Sequence, residues 1–211
     1  MKPTLKPPTC RVKIMSKIRI FSLLAAIAVV LFASLASCKK PEPADEGEVV
    51  AAAKELLTAA VEVNRVFFGE GLPMGERVAP SVDIGYAEYV PLDEEHIGMS
   101  QSDIMDIARP VYAESYCEDI EKIVFEGVKV TDEEALFPRY VEEKGEMKIC
   151  YLLSVEGLPE RVPLVDTLNV LSVGHDTAEL SVDTVCEGKK ENITVTLVLE
   201  KNGWRLNTPT Y

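Results

Sequence analysis

The sequence predicts an α+β domain in which helices come first and an antiparallel sheet follows. Apolar residues recur at three- and four-residue spacing from Glu48 to Phe68, which is the period of an amphipathic helix. From Arg139 onward the period changes to two, as in strands with one buried face. Helices that precede a run of hairpin strands are typical of the α+β class.

The first helix is predicted over Glu48–Phe68, and Gly69 begins the segment that ends it. A loop containing Pro80 and Pro91 is expected to follow. Asn64 is the polar exception on the apolar face of the helix. Two interpretations of Asn64 remain open: a polar group in a ligand pocket, or a core amide that is satisfied by the backbone.

A second helix is predicted to begin after Ser100, which stands three residues before Asp103 in a weakened capping box. Pro110 is expected to kink this helix, because proline lacks the N–H that a helix interior needs. A third, short helix is predicted near Glu118–Phe125. The apolar face of the second helix consists of Ile104, Ile107, Ala108, Val111 and Tyr112.

Three hairpins are predicted in the second half of the chain. Asn202-Gly203 is the strongest short turn signal and is expected to join the last two strands. In the first hairpin, Ile149, Tyr151 and Leu153 are expected to share one strand face. The predicted strand pairs are Arg139–Glu142 with Met147–Val155, Thr167–Val173 with Thr177–Glu187, and Asn192–Lys201 with Trp204–Thr208.

The N-terminal segment has the pattern of an export signal. Residues 1–19 carry six basic and no acidic side chains, and residues 20–36 carry no charge. Leu35-Ala36-Ser37-Cys38 resembles the lipobox of bacterial lipoproteins, in which small residues precede a lipidated cysteine. The resemblance implies that residues 1–37 are a removed signal peptide and that Cys38 carries the lipid.

Two other interpretations of the N-terminal segment remain open, and all of them place the domain on the same side of the membrane. An uncleaved transmembrane helix followed by an ordinary cysteine is the alternative to a lipid anchor. Translation starting at Met15 instead of Met1 would still leave a basic segment before the apolar run. In every case the basic flank stays inside, so the rest of the chain is expected outside the cytoplasm of a bacterial cell, at the cell envelope.

The segment after the signal is strongly acidic. Of 22 basic and 35 acidic residues, the signal takes six basic ones, which leaves a formal charge of −19 from Cys38 onward. Such a charge excludes nucleic acid as an expected partner and favours a cationic one. Residues 38–48 are predicted to be the lipidated cysteine and an acidic tether, and residues 49–211 a single domain.

The order of elements resembles the nuclear-transport-factor-2-like superfamily. The features that carry the resemblance are a long helix ending in Phe67-Phe68-Gly69, a second helix with Tyr112, a short third helix, and a sheet that closes on Trp204-Arg205-Leu206. These domains are cones in which a curved antiparallel sheet wraps a helix. A cystatin-like or other helix-on-sheet domain is the alternative.

The resemblance implies a ligand cavity inside the cone, lined by the inward sheet face and the second helix. The protein is therefore expected to be a binding or interaction module that takes a small molecule or an envelope protein and needs no cofactor. The alternative is that the candidate side chains are ordinary core and rim residues. The pocket candidates are Asn64, Tyr89, Tyr112, Arg139, Tyr140 and Tyr151.

A small-molecule enzyme that uses the same cavity is the alternative function. Isomerases and dehydratases of the superfamily place acid–base groups in the cone, and a hydrolase is also open. Asp183 falls on the polar side of its predicted strand, so no catalytic residue is predicted. Asp93-Glu94-Glu95-His96 gathers potential metal ligands, but consecutive side chains point apart and no metal site is predicted.

Three cysteines remain beyond Cys38: Cys117, Cys150 and Cys186. An odd number in an exported domain allows one disulfide with a leftover thiol, or three buried thiols. Buried thiols are favoured because Cys150 and Cys186 lie in strand-like runs where a small apolar side chain suffices.

Overall fold

The computed structural model describes residues 42–76, 83–84, 87–129 and 135–211. The predicted signal peptide, Cys38 and the first residues of the predicted tether lie outside these ranges. Residues Glu42–Tyr211 group as one compact unit. None of the helices in the described ranges has the length and apolar character needed to cross a bilayer.

The first predicted helix is confirmed as α1, Glu46–Phe67. It begins two residues earlier than predicted because Asp45 caps it, with the Asp45 carboxylate accepting a hydrogen bond from the Glu48 N–H at 2.9 Å. The Ala44 N–H also donates to the Gly174 carbonyl at 2.8 Å. The last part of the predicted tether therefore belongs to the folded domain.

The second and third helices are α2, Gln101–Ala108, and α3, Glu114–Glu121. Ser100 and Asp103 form the predicted capping box. Pro110 does not kink α2; the helix ends before it, because proline has no N–H to continue the intrahelical hydrogen bonds. The third helix begins four residues earlier than predicted and continues as a π-helical turn over Lys122–Glu126.

A first antiparallel sheet has four strands in the order β1-β2-β6-β5. Two of its strands, β1 and β2, lie in the segment predicted as a loop; β1 pairs with β2, and β2 pairs with β6. A separate two-stranded ladder joins β3 and β4. The strands are β1 Asp83–Ile84, β2 Ala87–Pro91, β3 Val128–Lys129, β4 Ala135–Leu136, β5 Tyr140–Glu143 and β6 Glu146–Cys150.

The second sheet has the order β11-β10-β9, with β7 and β8 both pairing along the other edge of β9. Along β9 the core face carries Ala178, Leu180, Val182 and Thr184, as the alternation predicts. The antiparallel sheet curls into a half-barrel beside the helices, so the predicted α+β class is confirmed. The strands are β7 Arg161–Pro163, β8 Asn169–Val173, β9 Thr177–Cys186, β10 Lys189–Glu200 and β11 Gly203–Leu206.

Two predicted details of the hairpins are wrong. The predicted strand Met147–Val155 stops at Cys150, and Tyr151–Val155 form a short helix, α4, so Tyr151 does not share a strand face with Ile149. In the last hairpin Glu200 pairs with Gly203, so the turn is Lys201-Asn202. Gly203, with φ of +109°, opens β11 in a conformation that suits glycine.

The main core lies between α1 and the second sheet. α1 contacts β7, β8 and β11. Leu57, Phe67, Leu180 and Leu197 are fully buried there. Each such side chain contributes about 1.5–3 kcal/mol on burial, so this layer fixes the axis of α1 on the sheet.

Gly71, just after α1, has φ of +83°, and a Cβ there would overlap the Ile149 Cδ1. Gly98 has the same backbone conformation, with φ of +85°, but open space around it. We expect Gly98→Ala to cost about 1–2 kcal/mol of unfolding free energy, from left-handed strain. Gly71→Ala should cost about 1–3 kcal/mol more, from overpacking. Urea denaturation of both variants measures the difference, and equal costs would contradict the close approach.

Candidate functional site

The C-terminal end of α1 is held by two side chains at the start of β5. The Arg139 guanidinium donates to the Gly69 carbonyl at 2.8 Å and to the Phe68 carbonyl at 3.1 Å. The Tyr140 hydroxyl donates to the Val66 carbonyl at 2.8 Å. The carbonyls of Val66 and the C-cap Phe68 are among those that a helix end leaves without an intrahelical partner, so both side chains act as caps.

Arg139 is only 6% exposed, and burial lowers the pKa of its guanidinium from the ordinary value. In the described ranges no carboxylate forms an ion pair with it. The partial negative charge at the end of α1 opposes the guanidinium charge instead. Burial likewise raises the pKa of Tyr140, which remains a neutral donor.

A closed triangle of buried hydrogen bonds joins α1 to two distant segments. The Asn64 amide donates to the Thr210 hydroxyl at 2.8 Å, and the Tyr112 hydroxyl donates to the Asn64 carbonyl oxygen at 2.7 Å. The hydroxyls of Tyr112 and Thr210 lie 2.6 Å apart. Asn64 is therefore satisfied by side chains rather than by the backbone, and burial raises the pKa of Tyr112 to about 12.

Beside this triangle a cavity of about 260 Å³ opens to solvent. Its walls come from the last turns of α1 with the residues that follow, from the segment 154–161, and from Tyr211. Six of the lining residues are Val61, Asn64, Phe68, Ser154, Gly157 and Tyr211.

The inner wall of the cavity is formed by close contacts at the end of α1. The rings of Phe68 and Tyr211 stack with centroids 3.7 Å apart. The Leu158 N–H donates to the Phe68 carbonyl at 2.9 Å. A Cβ on Gly157 would overlap the Gly69 carbonyl, so glycine at 157 lets the segment lie directly on the helix end.

Charged side chains surround the opening. The Arg65 guanidinium pairs with Glu160 at 2.7 Å and with Glu62 at 2.9 Å. The Arg161 guanidinium pairs with Glu191 at 2.7 Å. It also donates to the Thr184 hydroxyl at 3.1 Å. Both arginines line the cavity with their charges already opposed.

The structure places the six sequence candidates in different surroundings. Asn64 lines the cavity. Tyr112 lies one hydrogen bond behind it, while Arg139 and Tyr140 hold the helix end.

The two remaining candidates lie away from the cavity lining. The buried Tyr89 donates its hydroxyl to the Pro138 carbonyl at 2.8 Å, in a small cluster with Cys150. Burial raises the pKa of Tyr89. Tyr151 is partly buried in α4 and packs against the main core.

Sequence reasoning missed Arg65, Phe68, Glu160, Arg161 and Tyr211 as cavity residues. Gly157-Leu158-Pro159 between two strand-like runs indicates a turn. Nothing local in the sequence indicates that this turn folds back onto the end of α1.

The remaining reactive side chains lie elsewhere. Cys117, Cys150 and Cys186 are free; the first two are buried, and burial raises the pKa of the Cys117 thiol to about 11. His96 pairs through Nδ1 with the Asp93 carboxylate. In the described ranges no three such side chains converge as metal ligands do.

We expect Tyr112→Phe to lower the unfolding free energy by about 1–3 kcal/mol, because it leaves the buried Asn64 oxygen without a donor. Tyr89→Phe removes a hydroxyl that makes one hydrogen bond to a backbone carbonyl, and should cost only about 0.5–1.5 kcal/mol. Urea unfolding of both variants tests the ranking. A Tyr112→Phe protein as stable as the wild type would contradict the triangle.

The raised pKa of Tyr112 gives a pH dependence. Between pH 10, its ordinary pKa, and about 12, the unfolded chain loses the phenolic proton while the folded chain keeps it. Stability should therefore fall as pH rises through this window. Urea midpoints at pH 9 to 12 measure the fall, which should be shallower in Tyr112→Phe. An unchanged slope would show that Tyr112 does not contribute.

Comparisons with known proteins assign no relative to the chain. No model of a known protein family matches it, and its sequence matches no curated protein.

Proposed function

We propose that the chain is a lipid-anchored, extracytoplasmic binding module of a bacterial envelope, and that the cavity at the end of α1 is its ligand site. The observation that carries the proposal is the open cavity of about 260 Å³. Its lining combines an aromatic pair and aliphatic side chains, as small-ligand sites do, with the charged side chains of Arg65, Glu70, Glu160 and Arg161.

The anchor is supported by the residues before the domain. Six basic side chains, an uncharged apolar run and Leu35-Ala36-Ser37-Cys38 stand in the order that a lipoprotein signal requires. Two acyl chains on Cys38 would hold the protein stably, which a single chain does not. Glu42 accepts a hydrogen bond from His175 at 3.1 Å, so only residues 39–41 separate Cys38 from a contact of the domain.

The finer architecture that we propose is a cone of the nuclear-transport-factor-2-like kind. Three features support it: the long α1 with Phe68-Gly69 at its end, the curled sheet beside it, and a parallel bridge that joins Tyr112 to Leu206. The cavity at the end of α1 then lies at one end of the helix that the sheet partly surrounds.

Binding is favoured over catalysis by the way the lining groups are used. Ser154 donates its hydroxyl to the Cys150 carbonyl at 3.1 Å, and the Asn64 side chain is hydrogen-bonded to Tyr112 and Thr210. Both arginines are in ion pairs. The described lining holds no histidine or cysteine that would activate a nucleophile.

We expect Cys38→Ala to block lipidation, so that the precursor stays uncleaved and incorporates no labelled fatty acid. Cys10→Ala is the matched control, because it removes a cysteine from the basic segment and should leave labelling unchanged. Metabolic labelling and the size of the cell-bound protein measure both. Continued labelling of Cys38→Ala would contradict the lipid anchor, and an uncleaved, unlabelled wild type would indicate a transmembrane anchor instead.

A further inference from the structure

The positive charges at the cavity are already used by the protein. Arg65 is shared between Glu62 and Glu160, and Arg161 is held by Glu191. An anionic ligand would compete with carboxylates that already lie 2.7–2.9 Å from these guanidiniums. Both positive charges at the cavity are therefore already partly neutralised.

The carboxylate of Glu70 is the lining charge that has no close partner. Glu70 is exposed, lines the opening, and forms no ion pair within the described ranges. Among the carboxylates that raise the pKa of Arg65, Glu160 comes first, Glu62 next and Glu70 last. Glu70 also follows the C-terminal end of α1, where the helix favours positive charge.

Exposed apolar side chains lie at the same opening. Val155 and Leu158 line the cavity, yet they are 63% and 52% exposed. The Tyr211 ring, stacked on the buried Phe68, is only partly covered. An apolar body placed here would cover all three side chains, and an aromatic face attracts a nearby cation.

We propose that the cavity binds a small organic cation: a primary amine or guanidine on a compact apolar or aromatic body. Its charged group pairs with Glu70, and its body covers Val155 and Leu158. The cavity, at about 260 Å³, lies just below the roughly 300–1,000 Å³ of sites for drug-sized ligands, so the ligand is small. This inference rests on the proposed binding function and adds the chemical class of the ligand.

Three probes that share a phenethyl-sized body test the charge preference at pH 7: phenethylamine, phenethyl alcohol and phenylacetate. The lipidated full-length protein is held in nanodiscs of uncharged lipid, and empty nanodiscs give the background. Ligand-observed NMR titrations measure each dissociation constant. We expect the amine to bind most tightly, the alcohol more weakly, and phenylacetate weakest.

Variants locate the contact. Glu70→Gln should weaken amine binding by about two- to fivefold, the size of an exposed ion pair, and leave the alcohol unchanged. Glu146→Gln removes an exposed carboxylate that does not line the cavity, and should change neither. Val155→Trp enlarges an exposed rim side chain without disturbing the core, and should weaken binding of the amine and the alcohol.

The outcomes separate the two proposals. If the alcohol or phenylacetate binds as tightly as the amine, and Val155→Trp blocks binding, the cation preference is wrong and the cavity remains a ligand site. If Glu70→Gln leaves the affinity for the amine unchanged, the pairing of the charged group with Glu70 is wrong. If no probe binds above the nanodisc background, or Val155→Trp changes nothing, the ligand site itself is overturned.

Discussion

The capping of α1 by Arg139 and Tyr140 is the interaction on which the rest of the site depends. It ties the first sheet to a helix that is otherwise packed on the second sheet. The Phe68 carbonyl accepts from both Arg139 and the Leu158 N–H, so the covering segment uses the same helix end. Replacing one of these side chains would leave buried carbonyls unpaired, and losing the carbonyls would leave a buried guanidinium unpaired. Either change would therefore lower the free energy of unfolding.

The elements that were predictable from sequence are those fixed by short-range patterns. The apolar period located α1 to within two residues at its start, and Ser100 with Asp103 located the start of α2. The segment Tyr151–Val155 was not predictable, because a short apolar run is compatible with either a helix or a strand. The strand before it, β6, ends at Cys150, where the pairing with Tyr89 of the distant strand β2 also ends.

The candidate site was only partly accessible to sequence reasoning. Asn64 was visible as a polar residue on an apolar face, but its partner Thr210 lies 146 positions away. The Arg65–Glu160 pair spans 95 positions. Tyr112 and Tyr140 have amphipathic rings, as a ligand site needs, but a buried phenol also needs an internal partner, and both hydroxyls have one. Residue type alone does not distinguish these two uses.

The length of α1 separates the two ends of the domain. Its 22 residues rise about 33 Å, roughly the thickness of the hydrocarbon core of a bilayer. The chain joins the domain beside the first turn, at the Ala44 to Gly174 hydrogen bond, whereas the cavity surrounds the last turns. The point where the chain enters the domain and the cavity therefore lie toward opposite ends of α1, separated by most of its length.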